Sequence, residues 1–138
     1  MANPNGNLGT KLETEIKTWL RAHGWRWADR IPRRGSADEG DVRLSERVPF
    51  IIEAKSAKRT TDRAAIGTWL RELESEVSHS KSEAGAVVHK KRGTIDVGEY
   101  VAIMPVKYLN HLLKKAYGED FEAVPTRRRR RVIPPYRD

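Results

Sequence analysis

Two strand-like runs, residues 41–44 and 48–55, are separated in this chain by only the three residues Ser45-Glu46-Arg47. A connection this short returns the chain beside itself, so the two runs are expected to pair as an antiparallel hairpin. The next strand-like run, 84–90, follows a helical segment, which is the kind of crossover that parallel strands need. The sequence therefore predicts a mixed sheet with helices packed against it.

Apolar residues at helical spacing predict three helices, and short alternating or apolar runs predict five strands. The helices are expected at 8–23, from 60 or 61 to 78, and from 105 to 117; the strands at 25–31, 41–44, 48–55, 84–90 and 100–105. The chain is thus predicted to be an α/β protein, with a mixed central β-sheet flanked by helices in the order αβββαβ(β)α.

The same periodicity predicts which side chains form the core. Trp25 and Trp27 share one face of the first strand and are expected to be core residues rather than base-stacking residues. The inward faces of the second and third helices are predicted to carry Ile66, Trp69, Leu70, Leu73 and Val77, and Val106, Leu109, Leu112, Leu113 and Ala116.

The charge balance points to a nucleic-acid partner. The chain has 138 residues, with 27 Lys and Arg against 19 Asp and Glu, a formal charge of +8. An excess of this size favours a polyanion. Residues 1–124 are expected to form one domain and 125–138 a basic tail that holds phosphates, with Arg127, Arg128, Arg129, Arg130 and Arg131.

Membrane association is not predicted. No apolar stretch approaches the roughly 20 residues of a membrane span. The first residues, MANPNGNLGTK, lack the apolar core of a secretion signal, so a cytoplasmic location is expected.

Several kinds of chemistry are excluded by residue type. The chain has no cysteine, so it has no thiolate nucleophile, disulfide or cysteine-based zinc site. It also lacks the His-Glu-x-x-His, Gly-x-Ser-x-Gly and Walker sequences, which argues against zinc hydrolase, serine hydrolase and ATPase activity. Any metal must be held by oxygen or histidine ligands.

Acidic residues stand at the ends of the two hairpin strands. Asp41 begins the first strand, and the second ends in Glu53-Ala54-Lys55, with Glu53 and Lys55 on one face. The hairpin can bring Asp41 beside Glu53. Two carboxylates and the Ala54 carbonyl are the oxygen ligands that Mg²⁺ prefers, and Mn²⁺ can substitute. Such a site can activate water for attack on a phosphodiester, with Lys55 orienting the water or the phosphate. The alternative is a solvated strand end.

At these residues the chain resembles the PD-(D/E)xK nuclease superfamily, whose signature corresponds here to Gly40-Asp41 and Glu53-Ala54-Lys55. Over residues 9–60 it is similar to the archaeal-type Holliday-junction resolvases, with GTKLE, WLRAHGW, RIPRRGS, GDVRL and FIIEAKSAK in the same order. The resemblance implies a restriction-endonuclease-like core and a metal-dependent endonuclease that makes paired symmetric nicks in four-way DNA junctions. Two matched cuts from a chain with one site imply a homodimer, and a phage-encoded member of this kind would act in the host cytoplasm.

The resemblance also implies a role for individual residues. Glu13 matches the first acidic metal ligand, Asp41 and Glu53 match the other two, and Lys55 matches the catalytic lysine. Ser36 matches a loop serine that contacts the scissile region. Two departures are Gly40, where the family name has Pro, and Thr14, where an Arg that contacts phosphate is common.

Basic residues flank the proposed site on both sides. They are Arg30, Arg33 and Arg34 before Ser36, and Lys58 and Arg59 after the Glu-x-Lys motif. Cations in these positions are expected to capture the DNA backbone.

Other interpretations of the acidic residues remain open. Glu13 can instead form a capping box with Thr10. Glu15 is an alternative acid on the first helix, and Asp38 or Glu39 can substitute as a ligand. The protein can also be another nuclease of the superfamily, acting by nicking or on flaps or duplex, or a basic DNA-binding protein without catalysis.

Overall fold

The structure of the chain, a computed structural model, describes residues 4–33, 38–56 and 63–118, with side chains from residue 9 onward. Within these ranges the chain forms three α-helices, five β-strands and one short 3₁₀ helix. In chain order the elements are α1 (Pro4–Ala22), β1 (Asp29–Arg30), β2 (Val42–Arg43), β3 (Phe50–Lys55), α2 (Arg63–His79), β4 (Ala84–His89), the 3₁₀ helix (Val97–Glu99), β5 (Val101–Ile103) and α3 (Val106–Tyr117).

The five strands form one mixed sheet in the order β1-β2-β3-β4-β5. The β2–β3 hairpin is antiparallel, with Val42 opposite Ile52, as its short connection predicts. β3 and β4 are parallel and are joined through α2, whereas β4 and β5 are antiparallel. The protein is therefore an α/β protein with a mixed sheet.

Helices cover both faces of this sheet. On one face Leu12, Ile16 and Leu20 of α1 pack in a cluster with Val42 and Ile52. On the other face Trp69, Leu73 and Val77 of α2 and Tyr108 of α3 pack with Ile51, Ala84 and Val87. Successive residues of β3 point to opposite faces, so Ile51, Glu53 and Lys55 lie toward α2, and Ile52 and Ala54 toward α1.

The first strand is much shorter than predicted, because the end of α1 holds the chain that follows. The Trp25 N–H donates to the Leu20 carbonyl at 3.0 Å, with Gly24 at φ 102°, which is a Schellman-type helix end. The Ala28 N–H then donates to the Trp25 carbonyl at 2.9 Å. Residues 25–28 therefore form turns, and the strand is limited to Asp29–Arg30.

The placement of Trp25 and Trp27 in the core was wrong. Trp25 is 41% exposed and Trp27 is 72% exposed, with the Arg26 guanidinium 5.1 Å from the Trp27 ring centroid. In the turn that replaces the predicted strand, Ala28 is the side chain that enters the core. The alternating face assumed for the two tryptophans does not exist in this conformation.

The inward face predicted for α3 was also wrong. Val106 is 78% exposed, and Leu109, Leu113 and Ala116 are also exposed, whereas Tyr108 is buried and Leu112 is half-buried. The side of α3 that faces the sheet is the Tyr108 side, because Tyr108 packs in the buried cluster with Ile51 and Val87. Exposed ion pairs flank it: Lys107 Nζ lies 3.1 Å from Glu74, and His111 Nε2 and Lys115 Nζ lie 2.7 and 3.2 Å from Glu83.

Within the described ranges, none of the helices has both the length and the apolar composition needed to cross a bilayer. The proposed basic tail, 125–138, lies outside the described residues.

Candidate metal centre

Asp41 is held at the junction of three strands by its backbone and its carboxylate. Its N–H donates to the Ile52 carbonyl at 3.0 Å, and its carbonyl accepts from the Ile31 N–H at 2.8 Å. Its carboxylate oxygen Oδ2 accepts a hydrogen bond of 2.8 Å from the Ala54 N–H. The residue is only 7% exposed. The hairpin thus brings Asp41 to the Glu53-Ala54-Lys55 segment, as the short connection predicts.

The residue before Asp41 has to be glycine in this conformation. Gly40 has φ 96°, a region that L side chains rarely adopt, and a Cβ added there would lie 2.9 Å from Ile51 Cδ1. Proline, which has φ near −65°, cannot adopt this backbone conformation. Gly40 is therefore required by the local backbone conformation and by the close approach of Ile51.

Glu13 approaches Asp41 from α1. It lies beside Leu12 on the inward side of the helix, is 8% exposed, and accepts a hydrogen bond of 3.0 Å from Arg30 Nε. Burial raises the pKa of Glu13, and the charge of Asp41 and a hydrogen bond shared with Asp41 raise it further, against the opposing effect of Arg30. Glu13 and Asp41 therefore form a pair of contacting carboxyl groups.

The capping-box interpretation of Glu13 was wrong, because α1 begins at Pro4 and Thr10 lies within the helix. The Thr10 carbonyl instead accepts from the Thr14 hydroxyl at 2.9 Å. Glu15, the alternative acid, lies 3.9 Å from Lys90 Nζ and does not join Asp41.

Glu53 lies on the opposite face of the sheet from Glu13, on the side that packs against α2. It is 6% exposed, and its Oε2 finds no hydrogen-bond partner among the described residues. Burial raises the pKa of Glu53 to about 10, with contributions from a hydrogen bond to Glu76 and from the charges of Asp41 and Glu76. The negative charge of Glu53 is thus strongly disfavoured unless a cation accompanies it.

Two glutamates of α2 that the sequence analysis missed complete the cluster around Glu53. One oxygen each from Glu53, Glu72 and Glu76 lies within 4.8 Å of the other two, and this is the one such group of three acids in the described part of the chain. Glu13, Asp41 and Glu53, the predicted trio, do not form such a group, because Glu13 and Glu53 come from opposite faces of the sheet. Asp41 links the two groups: it contacts Glu13, and its charge raises the pKa of both Glu53 and Glu76.

A signal for Glu76 was present in the helical periodicity. Glu76 lies seven residues after Trp69 and three after Leu73, so it occupies the apolar face of α2. A charged residue on a buried stripe requires a partner or a function. Glu72, four residues before Glu76, shares its side of the helix.

Lys55 lies at the edge of this cluster. Its Nζ is 2.9 Å from Glu72 Oε2 and 3.6 Å from Glu53 Oε1. Burial acts to lower the pKa of Lys55, but the hydrogen bond to Glu72 and the charges of Glu53, Glu72 and Glu76 outweigh it and raise the pKa. The ammonium group therefore keeps its proton beside Glu72.

The two loop acids have positions that do not bring them into the cluster. Asp38 Oδ1 accepts a hydrogen bond of 2.9 Å from the Gly40 N–H, so this carboxylate shapes the loop before Asp41. Asp38 and Glu39 are both exposed. Asp38 still acts at a distance, since its charge contributes to the raised pKa of Glu76.

A cleft of about 580 Å³ opens beside Glu13 and Asp41. Two of the predicted DNA-binding residues, Arg30 and Arg33, line it. Arg30 also pairs with Glu13, so it is part of the acidic site as well as of the cleft. The remaining predicted contacts, Ser36, Arg34, Lys58, Arg59 and Arg127 to Arg131, lie outside the described residues.

No family model, curated protein or solved structure matches this chain in the three comparisons made. Carboxylate oxygens are hard ligands suited to Mg²⁺ or Mn²⁺. The adjacent buried carboxyl groups of Glu13 and Asp41 and the unpartnered buried oxygen of Glu53 fit a bound divalent cation.

Proposed function

We propose that this protein is a divalent-metal-dependent DNA endonuclease with a restriction-endonuclease-like αβββαβ(β)α core. The observation that carries this is the hydrogen bond from the Ala54 N–H to Asp41 Oδ2, 2.8 Å long. It ties the first acidic residue of the motif to the strand that carries Glu53 and Lys55, with Glu13 in contact with Asp41. This combination of acids and a charged lysine suits phosphodiester hydrolysis better than a structural role.

Glu13 and Asp41, whose carboxyl groups lie together, would hold the Mg²⁺, for which Mn²⁺ can substitute. Glu53, on the other face of the sheet, and the Ala54 carbonyl would bind the same ion through waters that the ion retains. The bound ion would supply an acidified water and positive charge at the phosphate. Lys55 keeps its ammonium charged beside Glu53 and can orient the attacked phosphate. Arg30 and Arg33, which line the adjacent cleft, can hold the DNA backbone there.

The substrate we propose is a four-way DNA junction, cut as a Holliday junction by paired symmetric nicks. The net charge of +8 favours a polyanion, and a homodimer would place two copies of one site at two matched phosphates. The protein would act in recombination or repair in the cytoplasm, which is the host's if a phage encodes it. Basic residues outside the described ranges would add phosphate contacts. They include Arg34, which lies two residues before Ser36, and the arginines of the basic tail, 125–138.

The test is an incubation of the protein with Mg²⁺ and matched junction, flap and plain-duplex DNA. Paired nicks confined to the junction are expected. Cutting without a junction preference would indicate a different nuclease, and binding without cutting of any DNA would indicate a non-catalytic DNA-binding protein. A sedimentation mass of twice 15.8 kDa is expected for the homodimer.

Asp41→Asn is the informative variant for the same assay. The amide oxygen can still accept from the Ala54 N–H, while the negative charge is lost. Glu46→Gln is the matched control, because Glu46 is an exposed acid on the hairpin turn whose partner is Arg43 at 3.4 Å. Cleavage by the Asp41 variant at the rate of the Glu46 control would contradict the proposed site.

A further inference from the structure

We propose that Glu53, Glu72 and Glu76 form a second divalent-cation site on the α2 side of the sheet, in addition to the site at Glu13 and Asp41. Glu53 would be shared between the two sites. The part that this second cation plays in DNA cleavage rests on the proposed function, whereas the binding of the cation does not.

The first support is the geometry of the three side chains. Glu72 and Glu76 are four residues apart on α2 and therefore lie on one side of the helix, and Glu53 projects toward that helix from β3. One oxygen of each residue lies within 4.8 Å of the other two. Oxygen ligands bind Mg²⁺ and Ca²⁺ at about 2.0–2.6 Å, so a single ion can reach ligands with this spacing.

The second support is independent of the clustering. Glu76 is only 4% exposed and Glu53 only 6% exposed. The Oε2 atom of each is fully buried and has no hydrogen-bond partner among the described residues. A buried carboxylate oxygen without a partner is costly, so a group that the protein binds is expected between them.

Lys55 does not satisfy this need. Its ammonium pairs with Glu72 at 2.9 Å and lies 3.6 Å from Glu53 Oε1, which is the other oxygen of that carboxylate. The single positive charge of Lys55 balances only one of the three carboxylates, and Glu76 makes no ion pair within the described ranges. A divalent ion would supply the two missing positive charges, with Lys55 remaining at the exposed rim beside Glu72.

A shared proton between Glu53 and Glu76 is the competing explanation of the unpartnered oxygens. It needs only those two residues, whereas a cation also uses Glu72. Glu72 is 45% exposed at its side chain, so replacing it does not disturb the core. Glu72→Gln therefore separates the two explanations: it should weaken cation binding, but it should not matter to a proton held between the buried pair.

The experiment is a titration of the full-length, DNA-free protein with Mn²⁺, in which free Mn²⁺ is measured by electron paramagnetic resonance. Two Mn²⁺ ions per chain are expected for the unchanged protein, and one each for Glu13→Gln and Glu76→Gln. Glu72→Gln should weaken one of the two sites at least about tenfold, the lower end of what ligand-supporting groups contribute. Glu74→Gln is the matched control on α2, because Glu74 is exposed and pairs with Lys107, and it should keep both ions.

The inference is overturned if the unchanged protein binds no more than one ion, or if Glu72→Gln binds Mn²⁺ as the Glu74 control does. Its failure can be told from failure of the proposed function. Two bound ions without cleavage of any DNA would leave the second site standing and remove the nuclease. Junction cleavage with unchanged Mn²⁺ binding in both α2 variants would remove the second cation site and leave the proposed nuclease standing.

Discussion

The carboxylate of Asp41 accepts a hydrogen bond from the backbone N–H of Ala54, thirteen residues later in the chain. This bond connects the acid that precedes β2 to the end of β3, the same two segments that the hairpin brings together. Glu13 lies beside the same carboxylate and Glu53 directly precedes Ala54, so Asp41 links the two sides of the proposed metal site.

Asp41→Asn should reduce Mg²⁺-dependent cleavage at least about 100-fold, since even groups that only support a metal ligand contribute 10- to 100-fold. The loss follows from removing one negative charge while the hydrogen bond to Ala54 is kept. Initial cleavage rates on junction DNA measure the effect, with Glu46→Gln as the control. Denaturant midpoints that match between the two variants would show that the fold is intact.

Gly40→Ala should destabilise the protein by about 1–3 kcal/mol, the cost of a non-glycine residue in a strained backbone conformation. The added Cβ would also lie 2.9 Å from Ile51 Cδ1. Urea denaturation measures the change in the free energy of unfolding.

Gly93→Ala is the control that separates the two causes at Gly40. Gly93 also has a positive φ, of 86°, but a Cβ there meets nothing within 4 Å. We expect Gly40→Ala to cost more than Gly93→Ala, and Ile51→Val, which removes Cδ1, to reduce the difference. Equal costs at the two glycines would show that contact with Ile51 is unimportant.

The metal-free protein should become less stable as the pH rises from about 5 to about 8. Burial raises the pKa of Glu76 to about 7 from its ordinary value of 4.5, and that of Glu53 higher still. The folded state therefore holds protons that the unfolded state has released. This contribution is fully present below pH 4.5 and is lost as the pH rises through the folded-state pKa.

Urea denaturation in a chelator at several pH values measures this dependence. Glu76→Gln should make the slope less steep without abolishing it, because the amide does not titrate while Glu53 still does, whereas Glu74→Gln on the exposed side of α2 should leave the slope unchanged. A free energy of unfolding that rises over this pH interval, or an unchanged slope in the Glu76 variant, would contradict the raised pKa.

Trp69→Ala should cost about 3–5 kcal/mol of stability, as for other large aromatic residues removed from a core. Trp69 is 8% exposed and packs with Leu73 and Val87. Trp27→Ala should cost less than about 0.5 kcal/mol, because Trp27 is 72% exposed. Both values follow from chemical denaturation, and a large loss at Trp27 would show that its ring has a packing partner.

The elements whose form depends on near neighbours could be predicted from the sequence. The hairpin of β2 and β3 follows from a three-residue connection, and its register brings Asp41 to Ala54. The helical segments and the parallel β3–β4 crossover follow from apolar spacing and connection length. The mixed α/β sheet was therefore determined at the level of the sequence.

Other features depended on contacts between distant segments, and only the tertiary structure decided them. The end of α1 holds residues 25–28 in turns and leaves Trp27 in solvent, and α3 packs on the sheet through Tyr108 and not through its predicted face. Glu76 joins Glu53 because α2 packs over that face of β3. Periodicity identifies a face of each element, but the partner of that face depends on how separate elements pack against one another.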